Sequence, residues 1–554
     1  MAESHPEGAP LEAQLPAESE SEGEEETHTT AEGSQDAGTS TDGKGKKKKK
    51  KKSKKAKLVS ALKGEKSSTS SDANAESSSS KSNPKLSDEA VKKLLDMNPS
   101  LKGELAGIPP EKASEILKKM DVSQLLSGLS LNGKNQKDMA SYKFWGTQPV
   151  PKFDEKLEDM PDGPIKDVTP EMVPKEAAPL PEGYEWVELD MTNEEEIKEV
   201  YKLLSQHYVE DDHAMFRFNY SAVFLDWALK SPGWKKNWHI GVRAKGPSRL
   251  LVASIFGIPI KLRIRQHVVD VVEINFMCVH KKLRSRRLAP VLIKEITRRC
   301  NLDGVYQAIY TAGVVLPTPI GSCRYYHRSL DWLKLYEVGF SPLPPNSTPA
   351  KMVARNQLPP NTSTPGWRVM QDKDVDAVHD LLSRYLTRFD LAQEFTRDEV
   401  EHWFINRQKP EDQVVWSFVV ENDGGKITDF TSFYCLESSV IGEMSKKHDK
   451  IRAAYLYYYA TEHAFNPKEK GLKERLLHLI QDLLIEAKKA KFDVFNALTL
   501  HDNPLFLEQL KFGAGDGHLH HYLYNWRTKP INGGINAKNL PDESKRGGIG
   551  IVLL

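Results

Sequence analysis

The chain has 554 residues, and its 78 basic and 77 acidic side chains leave a formal net charge of +1. Its four cysteines lie far apart without the spacing of a metal site, and no apolar run approaches the roughly 18 residues that cross a membrane. Composition thus argues against a disulfide scaffold, a metal module and a membrane-spanning protein, and it predicts a protein of the cytoplasm.

The segment 1–140 differs in composition from the rest of the chain. It opens acidic, contains an uninterrupted lysine run at 46–52, becomes rich in serine, and has no aromatic side chain. Because such a segment has too little apolar surface to fold, we predict a disordered tail with short amphipathic helices at 88–95 and 110–126. The lysine run fits a solvated block of charge, a nuclear localisation signal, or attachment to RNA or the ribosome. Composition does not choose among these roles.

After residue 140, the predicted elements occur twice in the same order. The first set has helices at 192–208 and 222–229, strands at 238–243, 250–258 and 268–279, a helix at 291–300 and a strand at 305–311. The second has helices at 375–385 and from 397, strands at 414–421 and 428–436, a helix at 472–489 and a strand at 492–500. Thr192 and Glu195 predict a capping box at the first helix.

Equivalent residues of the two sets keep a nearly constant spacing along the chain. Leu204 is equivalent to Leu382, Trp227 to Trp403, and Trp238 to Trp416. We therefore expect an α+β fold in which two pseudo-symmetric halves, 141–350 and 351–554, form one mixed-sheet core.

The stretch 273–290, EINFMCVHKKLRSRRLAP, changes from an apolar strand to a basic loop (residues 281–287). Its five positive charges, at Lys281, Lys282, Arg284, Arg286 and Arg287, are not balanced by an acid. Pro290 suits the first turn of the next helix, where free N–H groups and the helix dipole favour an anion. The pattern predicts a phosphate-binding loop, since a merely solvated turn would be served as well by mixed charges.

An acidic loop follows the first predicted helix, with the sequence Val209, Glu210, Asp211, Asp212. Negative charge at this end opposes the helix dipole, so helix stability does not explain it. Capping the next segment would explain one acid rather than three. We favour a site for a basic peptide.

Six segments together resemble the glycylpeptide N-myristoyltransferase family. They are SYKFWGTQPVPKF, YVEDDHAMFRF, EINFMCVHKKLRSRRLAP, YTAGVVLPTPIGSCRYYHRSL, FDVFNAL and KFGAGDGHLHHYLYNW. The run LSGLSLNGKNQKDMASYKFW is similar to fungal members. The resemblance implies two halves of the N-acetyltransferase fold. It also implies transfer of a tetradecanoyl group from myristoyl-CoA, a co-substrate, to the N-terminal glycine amine of peptides and nascent proteins, with no metal or prosthetic group.

The resemblance also implies roles for individual residues. Coenzyme A and the acyl chain would contact Tyr142, Lys143, Phe144, Trp145, Phe276, Met277, Cys278, Val279, Arg284, Ser285, Arg286, Arg287, Leu288 and Ala289. The peptide would contact Val209, Glu210, Asp211, Asp212, Phe216, Phe218, Tyr220, Tyr325, His327, Ser438 and Asp516. Without the resemblance, Phe144 and Trp145 would be a plain core pair and His327 an ordinary polar residue.

The catalytic residues implied are the backbone N–H groups of Phe276 and Met277 as an oxyanion hole, with Asn275 and Thr311 near the glycine. The family more usually has leucine at the position of Met277. Relatives in the wider superfamily have glycine where this chain has Arg287.

The chain ends in an apolar run, GGIGIVLL at 547–554, where ordinary tails are polar. It predicts an end threaded into the core, and a terminal strand that pairs at a sheet edge is compatible with this. The resemblance assigns the α-carboxylate of Leu554 as the base for the glycine ammonium.

Three alternatives stay open from the sequence. The thiol of Cys278 is the candidate for an acyl-cysteine intermediate, although the chain has no serine or cysteine nucleophile elbow, which is consistent with direct attack in a ternary complex. The chain could also be a generic acyl-CoA N-acetyltransferase, or a protein that binds RNA or the ribosome through its lysine run. A monomer is expected.

Overall fold

A computed structural model describes residues 142–211, 214–465 and 471–554. The predicted tail with its lysine run and two short helices lies outside these ranges, as does Asp212. No helix within them is long and apolar enough to cross a membrane.

The first half of the described chain contributes seven strands and five helices. The strands are β1 (Tyr184–Glu188), β2 (Phe216–Asn219), β3 (His239–Ala244), β4 (Leu251–Ile264), β5 (His267–Val279), β6 (Gln307–Ala312) and β7 (Gly321–Ser329). The helices are α1 (Glu194–His207), α2 (Ala222–Leu229), α3 (Leu288–Leu302), α4 (Trp332–Glu337) and α5 (Pro349–Arg355).

The second half repeats this order apart from the two short helices at the end. Its strands are β8 (Trp367–Val369), β9 (Leu391–Gln393), β10 (Val415–Glu421), β11 (Ile427–Val440), β12 (Lys450–Thr461), β13 (Val494–Leu498) and β14 (Gly513–Tyr524). Its helices are α6 (Val375–Leu386), α7 (Arg397–Phe404) and α8 (Leu472–Lys489). The predicted fold class, with two pseudo-symmetric halves in one mixed sheet, is confirmed.

The strand order is nearly a mirror image about its centre. It runs β1-β3-β4-β5-β6-β14-β7-β13-β12-β11-β10-β8, with β2 paired to β11 and β9 paired to β4. Each half therefore gives its last strand to the other, since β7 pairs with β13 and β14 pairs with β6. This exchange joins the two halves through backbone hydrogen bonds.

The helices cover the sheet with their apolar sides, and the two equivalent tryptophans meet between the halves. Trp227 of α2 and Trp403 of α7 have ring centroids 4.9 Å apart in a perpendicular arrangement. The predicted cap of α1 was wrong in detail. Asn193, rather than Thr192, caps this helix by accepting the N–H of Glu195, while Thr192 bonds the carboxylate of Asp190.

Candidate active site

In the first half, an opening forms in the sheet where the parallel strands β5 and β6 stop pairing with each other. These parallel strands pair through Val271, Val272 and Glu273 on β5, which face residues 307–309 of β6. Beyond Glu273, β5 continues to Val279 and β6 to Ala312, but the two strands no longer pair with each other in the described sheet. Here β5 stays paired with β4, and β6 with β14. If the register is continued, Asn275 lies opposite Thr311. The structure thus brings these two predicted residues to facing edges of one opening.

A β-bulge lies in β5 beside this opening. Cys278 pairs with Ser254 and Asn275 pairs with Phe256, so Phe276 and Met277 together oppose a single residue of β4. Phe276 has a left-handed backbone with φ of 51°, which is costly for an aromatic residue. Because a bulge interrupts the ladder, it turns these two N–H groups away from ordinary strand pairing.

Aromatic packing holds the bulge in place. The ring of Phe276 is buried and meets Tyr220 at 4.9 Å and Tyr208 at 6.3 Å between centroids. The hydroxyl of Ser254 donates to the carbonyl of Phe276 over 3.3 Å. The strained backbone is therefore fixed by its side chain and by its carbonyl.

The chain terminus is threaded into the core, and it also pairs at the edge of β9. Ile549 pairs in parallel with Leu391 of β9, and Ile549 and Ile551 have no solvent exposure. A methyl group on Gly550 would lie 2.7 Å from Cβ of Phe389, so only glycine fits this close approach. Leu554 packs against the main core cluster.

Glu273 receives the last backbone N–H of the chain. Its carboxyl is bonded by the N–H of Leu554, and it also accepts from Nδ2 of Asn275 at 2.7 Å. Burial raises the pKa of Glu273 to about 7. The sequence analysis missed this residue, although a lone acid in the apolar run VVEINF was a signal for it.

The basic loop forms a 3-10 helix, Lys281–Arg286, that leads into α3. Arg287 joins the two with φ of 55°, the conformation that glycine adopts most easily. In the described chain, α3 has no side-chain cap and no acid in its first turn, which contains Leu288, Ala289 and Pro290. The N–H groups and dipole of this turn therefore stay available to an anion.

The basic side chains of this loop fall into two groups. Arg284 donates to the carbonyls of His207 and Val279, and Lys281 forms an ion pair with Glu210. The basic side chains of the second group, Lys282, Arg286 and Arg287, are exposed, and so is the neighbouring Ser285. Part of the predicted phosphate-binding charge is thus used within the protein.

The first described residues pack beside β6 and α3. Trp145 stacks on Tyr310 at 5.7 Å, and Phe144 meets Trp145 at 5.2 Å. The hydroxyl of Tyr142 donates to the carbonyl of Val315, whereas Lys143 is exposed. The aromatic pair is a core pair, and it also borders the strand that lines the opening.

The acidic loop is held by its own chain. Glu210 pairs with Arg217 as well as with Lys281, and its side chain is 10% exposed. Oδ1 of Asp211 accepts the N–H groups of Met215 and Phe216, at 2.7 and 2.6 Å. Val209 is more exposed, and its carbonyl accepts the N–H of Phe218. These acids therefore shape the loop before they meet any peptide.

The other residues predicted for the peptide form a continuous cluster. Phe216 and His327 both contact Phe340, Tyr325 stacks with His327, Phe218 contacts Tyr220, and Ser438 pairs with Phe218 across β2 and β11. A methyl group on Gly515 would lie 2.5 Å from Nε2 of His327, which brings the backbone next to Asp516 against the imidazole.

Asn496 orients His327. The two side chains share a hydrogen bond of 2.7 Å between Nδ1 and Oδ1, so the proton lies on Nδ1. Burial lowers the pKa of His327, which favours the neutral imidazole. Nε2 is therefore an acceptor. Sequence reasoning missed Asn496, which the pairing of β13 with β7 brings beside His327, and Phe340, which lies in the segment after α4.

The thiol of Cys278 is unsuited to nucleophilic attack. It is 3% exposed, and burial raises its pKa to about 12. A nucleophilic cysteine needs a thiolate near neutral pH. Direct attack without an acyl-cysteine is favoured on this ground.

Comparisons with known proteins match both halves of the chain. The N-terminal domain of the family described as myristoyl-CoA:protein N-myristoyltransferase matches residues 164–323, and its C-terminal domain matches residues 337–552. The glycylpeptide N-tetradecanoyltransferase of Emericella nidulans is 65% identical over 472 residues, which cover 85% of this chain and 95% of that protein. The protein of the same name from Saccharomyces cerevisiae is 50% identical, over 80% of this chain and 100% of its own length.

Solved structures agree with these matches. The N-myristoyltransferase of Saccharomyces cerevisiae with bound myristoyl-CoA is 51% identical and superposes with a TM-score of 0.72, over 74% of this chain and 99% of that chain. A structure of the same yeast protein with myristoyl-CoA and inhibitors is 50% identical, with a TM-score of 0.73, over 78% of this chain and 98% of that chain.

Proposed function

The chain belongs to the myristoyl-CoA:protein N-myristoyltransferase family, and from this premise we propose that it transfers a tetradecanoyl group from myristoyl-CoA to the N-terminal glycine amine of proteins. The observation that carries the proposal is the bulge at Phe276 and Met277, which lies on the same strand as Glu273, the partner of the chain terminus.

In the proposed complex, coenzyme A lies along the basic loop and the N-terminus of α3. The exposed cations and the uncapped N–H groups bind its phosphates, as charge and dipole both favour. The thioester then lies in the opening between β5 and β6, covered by the aromatic residues from Tyr142 to Trp145. The peptide lies along the cluster around His327, with its glycine near Asn275 and Thr311.

The chemistry is amine attack on a thioester carbonyl. A C–N bond forms, the C–S bond breaks, and coenzyme A leaves as a thiolate that takes up a proton. Negative charge builds up on the carbonyl oxygen, and the N–H groups of Phe276 and Met277 stabilise it.

The incoming glycine must first lose a proton, and the α-carboxylate of Leu554 accepts it. Free carboxyl and amine groups differ by about 4 pKa units, which makes this transfer uphill by about 6 kcal/mol in water. Burial raises the pKa of a carboxyl and lowers that of an amine, so the site reduces the pKa difference between the two groups. The position of the carboxylate matters here, while the leucine side chain does not.

Three variants of the terminus test this proposal. Extension by one glycine, or deletion of Leu554, should slow single-turnover acyl transfer far more than Leu554→Met, while acyl-CoA binding persists in all three. A near-normal rate in the extended enzyme would remove Leu554 as the base. Assay of a glycine-started peptide with acetyl-, lauroyl- and myristoyl-CoA separates this activity from that of a generic acetyltransferase.

We also propose where the enzyme meets its substrates. Nascent proteins in the cytoplasm are the expected acceptors, and the lysine run at 46–52 would keep the enzyme near RNA or the ribosome by salt-sensitive attraction. Loss of ribosome co-sedimentation at raised salt, and in a chain without this run, is the expected result.

A further inference from the structure

The last residues of the chain are held from one side by three successive acceptors. The N–H of Gly550 donates to the carbonyl of Leu391 at 2.6 Å, as in an ordinary β-ladder. The N–H of Val552 donates to the hydroxyl of Tyr458 at 2.9 Å, and that of Leu554 donates to the carboxyl of Glu273. Alternate N–H groups of an extended strand point to the same side. Backbone pairing thus gives way to two side chains near the terminal carboxylate.

The hydroxyl of Tyr458 is itself held in one place. Tyr458 lies in β12, has no solvent exposure, and packs its ring perpendicular to Phe395 at 5.1 Å and against His501 at 5.6 Å. Its backbone N–H and C=O both bond the hydroxyl of Ser432, at 3.1 and 2.7 Å. A buried ring fixed at both backbone groups presents a rigid acceptor to the terminal strand.

We propose that Tyr458 is a positioning residue that sets the place of the Leu554 carboxylate through the N–H of Val552. The inference rests on the proposed role of Leu554 as base. Tyr458 bonds the strand two residues before the terminus, so it acts through Val552 and Leu554 and touches no reacting atom. Without its hydroxyl, the segment after Gly550 keeps its apolar packing and, in the described structure, one backbone hydrogen bond, from Leu554 to Glu273.

The test is Tyr458→Phe, which removes the acceptor and keeps the ring. Its matched control is Tyr326→Phe, since the hydroxyl of Tyr326 is buried and makes no hydrogen bond within the described residues. We expect Tyr458→Phe to slow single-turnover transfer about tenfold, because small displacements of a reacting group cost up to a hundredfold. The dissociation constant of myristoyl-CoA should stay within twofold of the wild type. An unchanged transfer rate in folded Tyr458→Phe would overturn the inference.

The pH profile separates positioning from a general loosening of the core. A misplaced base slows the reaction while the glycine amine is protonated, below its pKa of about 8. At higher pH the solvent removes that proton, so the base affects the rate less. The rate deficit of Tyr458→Phe should therefore shrink between pH 7 and pH 9. The titratable groups beside Tyr458 are the same in the wild type and the variant, and they include Glu273, Glu399, Tyr434, Tyr457 and His501. A deficit that stays constant with pH would contradict the inference.

A double variant separates this inference from the proposal on which it rests. Deletion of Leu554 moves the terminal carboxylate to Leu553 and leaves none at the place that Tyr458 sets, so adding Tyr458→Phe to that deletion should cause no further loss of rate. If the rate losses of the two changes multiply in the double variant, Tyr458 acts elsewhere and the inference is wrong. If the deletion itself leaves the rate normal, the role of Leu554 fails first. If the deletion slows the enzyme and Tyr458→Phe does not, only the positioning role fails.

Discussion

Nζ of Lys281 lies 2.5 Å from Oε1 of Glu210, so one ion pair joins the basic loop to the acidic loop. The sequence predicts these residues for two different ligands, phosphate and peptide. In the structure the two side chains form an ion pair, and Glu210 also pairs with Arg217. A ligand that draws Lys281 away therefore changes the charge of the loop that faces the peptide.

The first prediction concerns this ion pair. Glu210→Gln should tighten coenzyme A binding about two- to fivefold, because partly exposed pairs are worth up to about 1 kcal/mol and Lys281 becomes free for phosphate. Calorimetric titration with coenzyme A measures the change. In a Lys281→Met background the same substitution should have no effect on affinity, and a persistent effect there would show that the pair is not the cause.

The second prediction separates the arginines of the basic loop. Combined Arg286→Ala and Arg287→Ala should weaken coenzyme A binding and reduce its salt dependence, with little change in melting temperature, because both side chains are exposed. Arg284→Ala should instead lower the unfolding free energy by about 2 kcal/mol, because Arg284 bonds two backbone carbonyls. Equal melting temperatures for the two variants would contradict this division.

The third prediction concerns the stability contribution of Glu273. Its folded pKa of about 7 lies above the ordinary value of 4.5, so the folded state holds a proton that the unfolded state releases between those pH values. The contribution of this group should therefore lower the unfolding free energy by roughly 2–3 kcal/mol from pH 4.5 to 7. Above pH 7 this contribution should no longer change. Glu273→Gln should remove that slope in denaturant titrations at several pH values, whereas the exposed Glu182→Gln should keep it. If the slope of unfolding free energy against pH persists in Glu273→Gln, another group causes it.

The fourth prediction concerns the glycine in the threaded terminus. Gly550→Ala places a methyl group 2.7 Å from Cβ of Phe389 and should push the terminal strand away from its acceptors. We expect a loss of at least tenfold in single-turnover rate with retained acyl-CoA binding. Gly424→Ala, whose methyl would meet only Oδ1 of Asn422 at 3.4 Å, is the control. Equal rates for both variants would mean that the strand tolerates the displacement.

The fifth prediction concerns the N-terminal segment. Deletion of residues 1–130 should leave turnover of free peptides within about twofold of the full chain, because that composition cannot contribute to a packed core. Ribosome or RNA association should weaken, and the difference from the full chain should shrink as salt screens the attraction of the lysine run. Loss of peptide turnover in the truncated enzyme would show that the core begins before residue 130.

Features encoded in neighbouring residues followed from the sequence alone. The sequence predicted helix 472–489 with the bounds that the structure has, Leu472–Lys489. Repetition of helix and strand signals predicted the duplicated fold, and the unbalanced charge at 281–287 marked the start of α3. The strands β1, β2, β7, β8, β9, β12 and β14 escaped prediction. Several of them are short or exchanged between the halves, and such strands owe their pairing to distant partners.

Only the tertiary structure decided which distant groups meet. Exchange of β7 and β14 brings His327 beside Asn496 and Asp516, and threading of the terminus brings Leu554 to Glu273 and Val552 to Tyr458. Local sequence carries period, charge and turn chemistry. Contacts between residues far apart in the chain depend instead on which sheet edges pair, and one local pattern is compatible with many such pairings. The apolar end GGIGIVLL indicated burial, while the fold alone determined what accepts each of its N–H groups.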